Sequence, residues 1–552
     1  MKTLHSAIRR VVQSRPEATV SANLISALVA SAFLATANGA LAHDDEKLGT
    51  VHFANSCSAD VQPQFERGVA LLHSFWYAEG AKTFADVAKA DPACAMAHWG
   101  TAITLFGNPF TWPLTGAALP QGWAAVERAK AANARTQRER DYIGAIEAFY
   151  KDADKVDHRT RAVAYTKAME QITQRYPEDS EAKIFYALAL NATALPSDKT
   201  YANQLKAAGI LEKIFAVQPD HPGVAHYLIH SYDYPSIARQ GLYAARRYAS
   251  VAPDAPHALH MPGHIFTRLG LWDESIETNI RSAKVSENHA ELLHAMDYMA
   301  YAYLQEGRDG DAKRVVEHIP DIGALNNKQF VAAFALAVIP ARYAMERGQW
   351  ADAAKLSLFP GEADFPWKAI PQAEAQLVYA RAIGAGRSGN AAAAKRDIER
   401  LQALRAAIVE LKLPYWPQQL DIQLKVASAW ATYAQGDKAG ALKLMREGAD
   451  LESASDKHPV SPGYVAPALE LLGDMLMEMK QPAQALQAYE GSSKREPNRF
   501  RTLAGAARAA EQSGDAAKAK AYYAELTKLA AKSDGARPEL ARAKGFLARA
   551  DR

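Results

Sequence analysis

Apolar and small residues along most of this chain return every three or four positions, the spacing of one face of an α-helix. The pattern is clearest near the end, where "PALELLGDMLMEMKQPAQALQAYEGSSKREP" runs directly into "NRFRTLAGAARAAEQSGDAAKAKAYYAELTKLA". Each stretch reads as two helices about a turn. Each has a small residue in the first helix (Gly473, Ala507), another after the turn (Ala485, Ala519) and an aromatic four positions later (Tyr489, Tyr523). Small side chains let two helices cross closely, and the aromatic fills the gap to the next pair. Pro497 ends the first stretch, because its ring cannot continue the hydrogen-bond ladder. Upstream, "QFERGVALLHSFWYAEGAKTFADVAKADP" carries Gly68, Gly80, Phe84 and Pro92 at the same offsets. Glycines 270, 307, 348, 389, 436 and 514 each fall between helical patterns, with Ser275, Ala312, Ala353, Ala394, Ala441 and Ala519 five residues further on. The pattern predicts about eleven or twelve helical pairs from residue 57 onward and a short last helix near 537–549. No run alternates apolar and polar residues, so strands are not expected.

This spacing resembles the tetratricopeptide repeat, a helix–turn–helix unit of about 34 residues. The resemblance is specific in the stretches just quoted and looser around 95–200 and 315–335. It implies an all-α fold, a right-handed α-solenoid of stacked pairs that curves around a concave inner face. Members of the superfamily mostly bind peptides or partner proteins on that face. The chain then divides into a segment 43–56, an array 57–310, middle pairs 311–463 and C-terminal repeats with a final helix, 464–552. Three connections exceed what the repeat needs: "GNPFTWPLTGAALPQG", "SLFPGEADFPWKAIP" and "SASDKHPVSPGYV". They are rich in Pro, Trp and Phe, which predicts ordered loops packed on the solenoid. A fold of this kind does not by itself fix a function.

Composition adds compartment and excludes some partners. With 23% charged and 49% hydrophobic residues, the 552-residue chain has the make-up of a folded soluble protein. Its first 42 residues differ: Lys2, Arg9, Arg10 and Arg15 precede the apolar run "LISALVASAFLATANGALA", which ends in Ala40-Leu41-Ala42. A basic start, an apolar middle and small exit residues make a cleavable export signal, and a periplasmic or secreted protein is expected. "RRVV" is only weakly similar to a twin-arginine signal, so the export route stays open. Removing those four bases and Glu17 from 64 basic and 61 acidic residues leaves 60 of each. Such a balance gives no nucleic-acid footprint, which needs a clustered basic surface. No other segment is apolar enough to span a bilayer after signal cleavage. The two cysteines, Cys57 and Cys94, read as one disulfide in an oxidising compartment; two thiols or a metal pair are the alternatives.

The candidate chemistry is histidine. "HALHMPGHIFTRLGLWDES" places His257, His260 and His264 within eight residues. Aligning Gly270 with the turn glycine of the repeat puts these three at positions 2, 5 and 9 of a first helix, on one stripe. In tetratricopeptide proteins that stripe lines the concave groove. The preceding unit, "GVAHYLIHSYD", offers His226, His230 and Asp233 on the same stripe, and the following unit offers His294, Asp297 and Tyr301. Half of the 16 histidines lie between residues 221 and 294, although His221 and His289 fall in connections. Imidazoles at i and i+4 can share one ion, and neighbouring helices lie near enough to add further ligands. His226, His230, His260 and His264 are therefore the candidate ligands of a divalent transition metal (zinc, copper or iron), a donor set that discriminates poorly among metals. Asp233 or Asp297 would ligate, or hold a ligating ring by its other nitrogen.

A second account makes the same stripe, with His257, His294, Asp297, Tyr301, Asp233 and Arg342, a polar groove for a peptide, protein or small-molecule ligand. Histidines titrating near pH 6.5 would make such binding pH-dependent. Arg342 takes the ninth position of a later inner helix, where it would meet an anionic ligand or a solvated face. His73 and His98 read as packing residues, and His458 lies on a proline-rich loop of no assignable place. His43 would begin the mature chain and could chelate copper there. Tyr77, Trp112 and Trp367 read as core or lid. There is no phosphate loop, no G-x-S-x-G and no H-E-x-x-H. The chain therefore reads as a binding protein rather than an enzyme; a hydrolase or oxidase would have to work through a metal held by the histidines.

Overall fold

The structure is a computed structural model that describes residues 46–550 apart from 115 and 536. The expected export signal and His43 lie outside the described residues. Among the described residues there are helices and no strands. They form twelve successive helical pairs, from Gln62–His73 with Tyr77–Ala90 to Phe500–Ser513 with Ala516–Leu529, and the helix Pro538–Ala550 follows. All six predicted turn glycines have positive φ, for example 65° at Gly270 and 85° at Gly514. A side chain is strained in that conformation and glycine is not.

The small residues and aromatics act together. A methyl group on Gly68 would lie 2.8 Å from the Phe84 ring, and one on Gly100 would enter the same ring. Tyr489 is clamped likewise between Gly473, where a methyl would lie 2.6 Å from it, and Gly505. Each aromatic therefore joins the first helix of its own pair to the first helix of the next. In the later clamp Gly505 lies against the ring, two residues before the Ala507 that the pattern singles out.

The superhelix winds tightly enough for inner helices to meet across its hollow. The helix Gln62–His73 packs on Pro222–Tyr232, and His289–Gln305 packs on Phe500–Ser513. Gly270 admits the neighbouring turn, since a methyl there would lie 2.6 Å from Asn498 Cβ; Trp272 Nε1–H donates to the Asn498 carbonyl at 2.7 Å. Arg499, wholly buried, donates to Glu346 (2.6 Å), Glu470 (3.1 Å) and the Tyr301 hydroxyl (2.6 Å). The apolar core falls into large clusters, one from Leu48 to Phe266, a second from Trp272 to Leu377 and a third from Phe334 to Ala543. The last two overlap in sequence.

The three long connections pack on the helices. In the first, Phe110 lies flat on His230, and Trp112 donates to the Phe106 carbonyl at 3.0 Å. In the second, Trp367 is buried and donates to the Pro360 carbonyl at 2.7 Å. The third enters the hollow: Arg342 donates to Ser461 Oγ (2.9 Å) and to the carbonyls of Gly463 (2.8 Å) and Tyr464 (2.9 Å). His458 is carried inward with it and stacks on Trp416 at 5.0 Å. Cys57 and Cys94 are joined, tying the N-terminal segment to the start of the second pair. Among the described residues no helix is long and apolar enough to cross a membrane.

The clamp geometry has a measurable consequence. Gly473→Val should lower the unfolding free energy by about 1–3 kcal/mol through overpacking, and Tyr489→Ala by about 3–5 kcal/mol through the cavity left behind. Urea denaturation followed by circular dichroism reads both; an unchanged midpoint in either variant would contradict the clamp.

Candidate functional site

Three consecutive first helices build the site. The first is Pro222–Tyr232. The second is a helix broken into Pro256–His260 and Pro262–Arg268, and the third is His289–Gln305. The break has a simple cause: Pro262 has no N–H, so the ladder is interrupted there, while Met261 keeps helical angles (φ −54°, ψ −36°) and the phase survives. His260 and His264 therefore still share a face.

The six histidines of the predicted stripe gather into two trios. His226, His230 and His257 form one, and His260, His264 and His294 the other, with one nitrogen from each ring lying within 4.8 Å of its two companions. Within the trios, His226 Nε2 lies 3.1 Å from His230 Nε2, and His260 Nε2 lies 3.0 Å from His264 Nε2. The four proposed ligands thus divide between two groups, and His257 and His294 complete them. The rings are buried apart from His257, which is partly exposed; its Nε2 is nevertheless buried and has no hydrogen-bond partner among the described residues.

Hydrogen bonds behind the rings decide where the protons sit. His260 Nδ1–H donates to Asn279 Oδ1 at 2.7 Å, and the amide cannot be turned round, because its Nδ2 donates to the Ser275 carbonyl at 2.7 Å. Gly263 makes room for that amide, since a methyl there would lie 2.7 Å from Asn279 Nδ2. His264 Nδ1–H donates to Asp233 Oδ2 at 3.0 Å, and His226 Nδ1–H to the His73 carbonyl at 2.6 Å. A neutral imidazole carries one N–H. His260 and His264 have both spent theirs on these acceptors, so two Nε2 lone pairs confront each other at 3.0 Å.

Protonating one ring would relieve the confrontation, but the surroundings oppose it. Burial holds His260 well below its ordinary pKa, and the neighbouring His264 lowers it further. Burial lowers His264 as well, although Asp233 pulls the other way. His226, His230, His257 and His294 are all held well below the ordinary value, first by burial and then by the other histidines. Asp233 is itself committed: Arg268 Nε donates to it at 2.7 Å and Lys457 Nζ at 3.3 Å. Burial alone would raise Asp233, but Lys457 and Arg268 outweigh it and keep the carboxylate ionised.

The walls are aromatic. Phe110 stacks on His230 with centroids 3.9 Å apart, and Phe75 lies against His226 (4.4 Å) and His257 (5.3 Å). Tyr77 stacks on Phe75 in turn. Tyr298 packs edge-on to His260 at 4.7 Å, with its hydroxyl 3.3 Å from His264 Nδ1.

Other predicted residues lie elsewhere. Asp297 does not join the histidines; it takes a 2.8 Å hydrogen bond from Arg342. Arg342 is wholly buried and bound to Asp297 and the loop 461–464, so it presents neither an open anion site nor a solvated face. Tyr301 lies beneath that loop, hydrogen-bonded to Arg499. His73, expected as packing, does more: its ring bonds Glu181 (2.9 Å) and Tyr227 (3.0 Å), and its carbonyl orients His226. His221 also bonds Glu181, at 2.8 Å. Trp367 belongs to the packed interior, and Trp112, partly buried, stacks on Phe149 against the core. Phe75, Phe110, Asn279, Tyr298, Arg268 and Lys457 also build the site, and the histidine pattern does not single them out. Of these, Tyr298 and Arg268 carry a local signal, each one turn beyond a stripe histidine (His294, His264) on the same helix.

No protein-family model matches the chain, and no curated protein matches it. Among solved structures, the human IFIT1 dimer with PPP-AAAA is similar at 13% identity and a TM-score of 0.40, over 79% of this chain and 91% of that one. The Cut9–Hcn1 hetero-tetramer of APC/C is similar at 13% identity and 0.31, over 89% and 90%. Naa15/Naa10 bound to HypK reaches 12% identity and 0.23, over 88% and 73%. Likenesses this distant assign no ligand or partner. The chain's own architecture is more specific: turn glycines, ring clamps and stacked helical pairs make it an all-α repeat solenoid with the helix–turn–helix spacing that the sequence predicts.

Proposed function

We propose that this chain is a metal-binding solenoid protein. The imidazoles of His226, His230 and His257 hold one transition-metal ion, and those of His260, His264 and His294 hold another. The observation that carries this is the pair of buried Nε2 lone pairs facing each other at 3.0 Å, each fixed by an acceptor behind its ring. A cation between them turns a repulsion into two bonds, and neutral imidazole is a good donor to zinc, copper, iron or nickel. Asp233, Asn279 and the His73 carbonyl supply the outer hydrogen bonds that metal-bound histidines characteristically make. A peptide groove on this stripe is the weaker reading, because the rings are closed in by Phe75, Phe110 and the inner helices. Capture of a partner elsewhere on the solenoid is compatible with the metal reading. Export to an oxidising compartment is supported by the joined cysteines and stays part of the proposal.

Zinc dialysis followed by elemental analysis tests it. The full chain should retain zinc in stoichiometric amount. The His260→Ala, His264→Ala double variant should lose the ion of its trio, and Asp233→Asn should weaken affinity by about 10–100-fold through the lost outer hydrogen bond. Retention of no metal by the folded wild-type chain would overturn the proposal.

The metal-free chain should also respond to acid. Rings held below their ordinary pKa stay neutral when folded, whereas unfolded rings take up protons near pH 6.5. The unfolded state then binds more protons, so stability should fall as pH drops from about 7 to 5. The loss is about 1.4 kcal/mol per ring for each tenfold difference in proton affinity. Bound zinc should reduce this dependence until the pH displaces it. Urea midpoints that do not move between pH 7 and 5 in the metal-free chain would contradict the neutral, buried state of the rings.

A further inference from the structure

The two trios are not separate sites that happen to share a protein. One helix serves both: His257 belongs to the first trio, and His260, a single turn later, belongs to the second. His257 and His260 have ring centroids 6.0 Å apart, and His230 and His264, also in different trios, 6.1 Å. Spacings inside a trio reach the same value, 6.1 Å between His264 and His294. The cluster is continuous.

Its charge is lopsided. Neither trio contains a carboxylate. The carboxylate beside it, Asp233, already balances Arg268 and is shared with Lys457. Two divalent ions on six neutral rings would add four positive charges to a buried chamber, at a solvation cost that an enclosed anion offsets most directly. Ions in two adjoining trios could share that anion, as paired metal sites do. The partly exposed side of His257 is where it would enter.

We infer that the two trios form one dinuclear centre that takes a small bridging anion, hydroxide when only water is present. The inference rests on the metal reading above. In forming the bridge, one water oxygen bonds to both ions and its proton leaves to bulk solvent, with no change of oxidation state.

Copper(II) is the probe. The full chain is loaded with it, excess is removed, copper per chain is counted and the electron paramagnetic resonance signal is integrated. Two copper ions per chain with a signal far below two spins are expected, because a single-atom bridge couples the spins. Added azide should produce one new charge-transfer band that saturates at one azide per two copper ions. His230→Ala and His294→Ala should each hold one copper with a full one-spin signal; if either fails to fold by circular dichroism, the Gln replacement stands in for it. Two copper ions with the intensity of two independent spins would overturn the bridge and leave the metal reading intact. One copper per wild-type chain would overturn the bridge and also the second ion of the metal reading. No copper or zinc uptake would overturn both.

Discussion

The structure turns on one contact, the 3.0 Å approach of His260 Nε2 to His264 Nε2. Bringing two unprotonated nitrogens together in a dry interior is costly, because buried acceptors lose their water, and the Tyr298 hydroxyl, 3.4 Å from His264 Nε2, serves one nitrogen of the pair. Such an arrangement persists only if the surroundings over-determine it. Here they do. Asn279 is locked by Ser275, Gly263 gives it space, and Asp233 is locked by Arg268 and Lys457. Every one of these bonds fixes a proton on the far side of a ring and so keeps the near side bare.

Fixing six rings also requires long-range closure. His226 is oriented by the carbonyl of His73, 153 residues away in sequence, and Asp233 is held by Lys457, 224 residues away. Both contacts depend on the tight superhelix, which brings the first helical pair onto the fifth and the loop 453–465 onto the inner face. Arg342, Asp297, Tyr301 and Arg499 then form a second polar zone next to the histidines, where their hydrogen bonds are satisfied within the chain apart from Asp297 Oδ2. The solenoid's hollow is consequently occupied by the protein itself, and its inner stripe works as an interior.

Helical phase made much of this legible. Turn glycines, clamp residues and the number of pairs follow from local spacing, and all six stripe histidines converge as their phase demands. Phase fails where the partner comes from another turn of the superhelix. Tyr301 and Asp297 share the histidine stripe, yet they lie further along it, under the returning loop and Arg342. Tyr298, the residue after Asp297 and so on another side of the helix, meets His264 instead. Phe110 and Lys457 sit on connections whose course no periodicity describes, so their arrival at His230 and Asp233 was not readable. Nor was the division into trios, because His257 and His260 look equivalent on a single helix and part company only through their neighbours.

That division bears on what the site can tolerate. A mononuclear site built from His226, His230, His260 and His264 would leave His257 and His294 as surplus buried polar rings, each carrying a desolvation cost without return. His257 Nε2 has no partner among the described residues, and His294 lies 4.2 Å from His260, ring to ring. Counting all six as donors removes the surplus, and the aromatic walls then exclude competing water while leaving the partly exposed edge of His257 as the approach. Neutral donors, fixed tautomers and an enclosed apolar boundary are thus parts of one arrangement, and it is this arrangement that the proposed pair of cations and their small bridging anion would use.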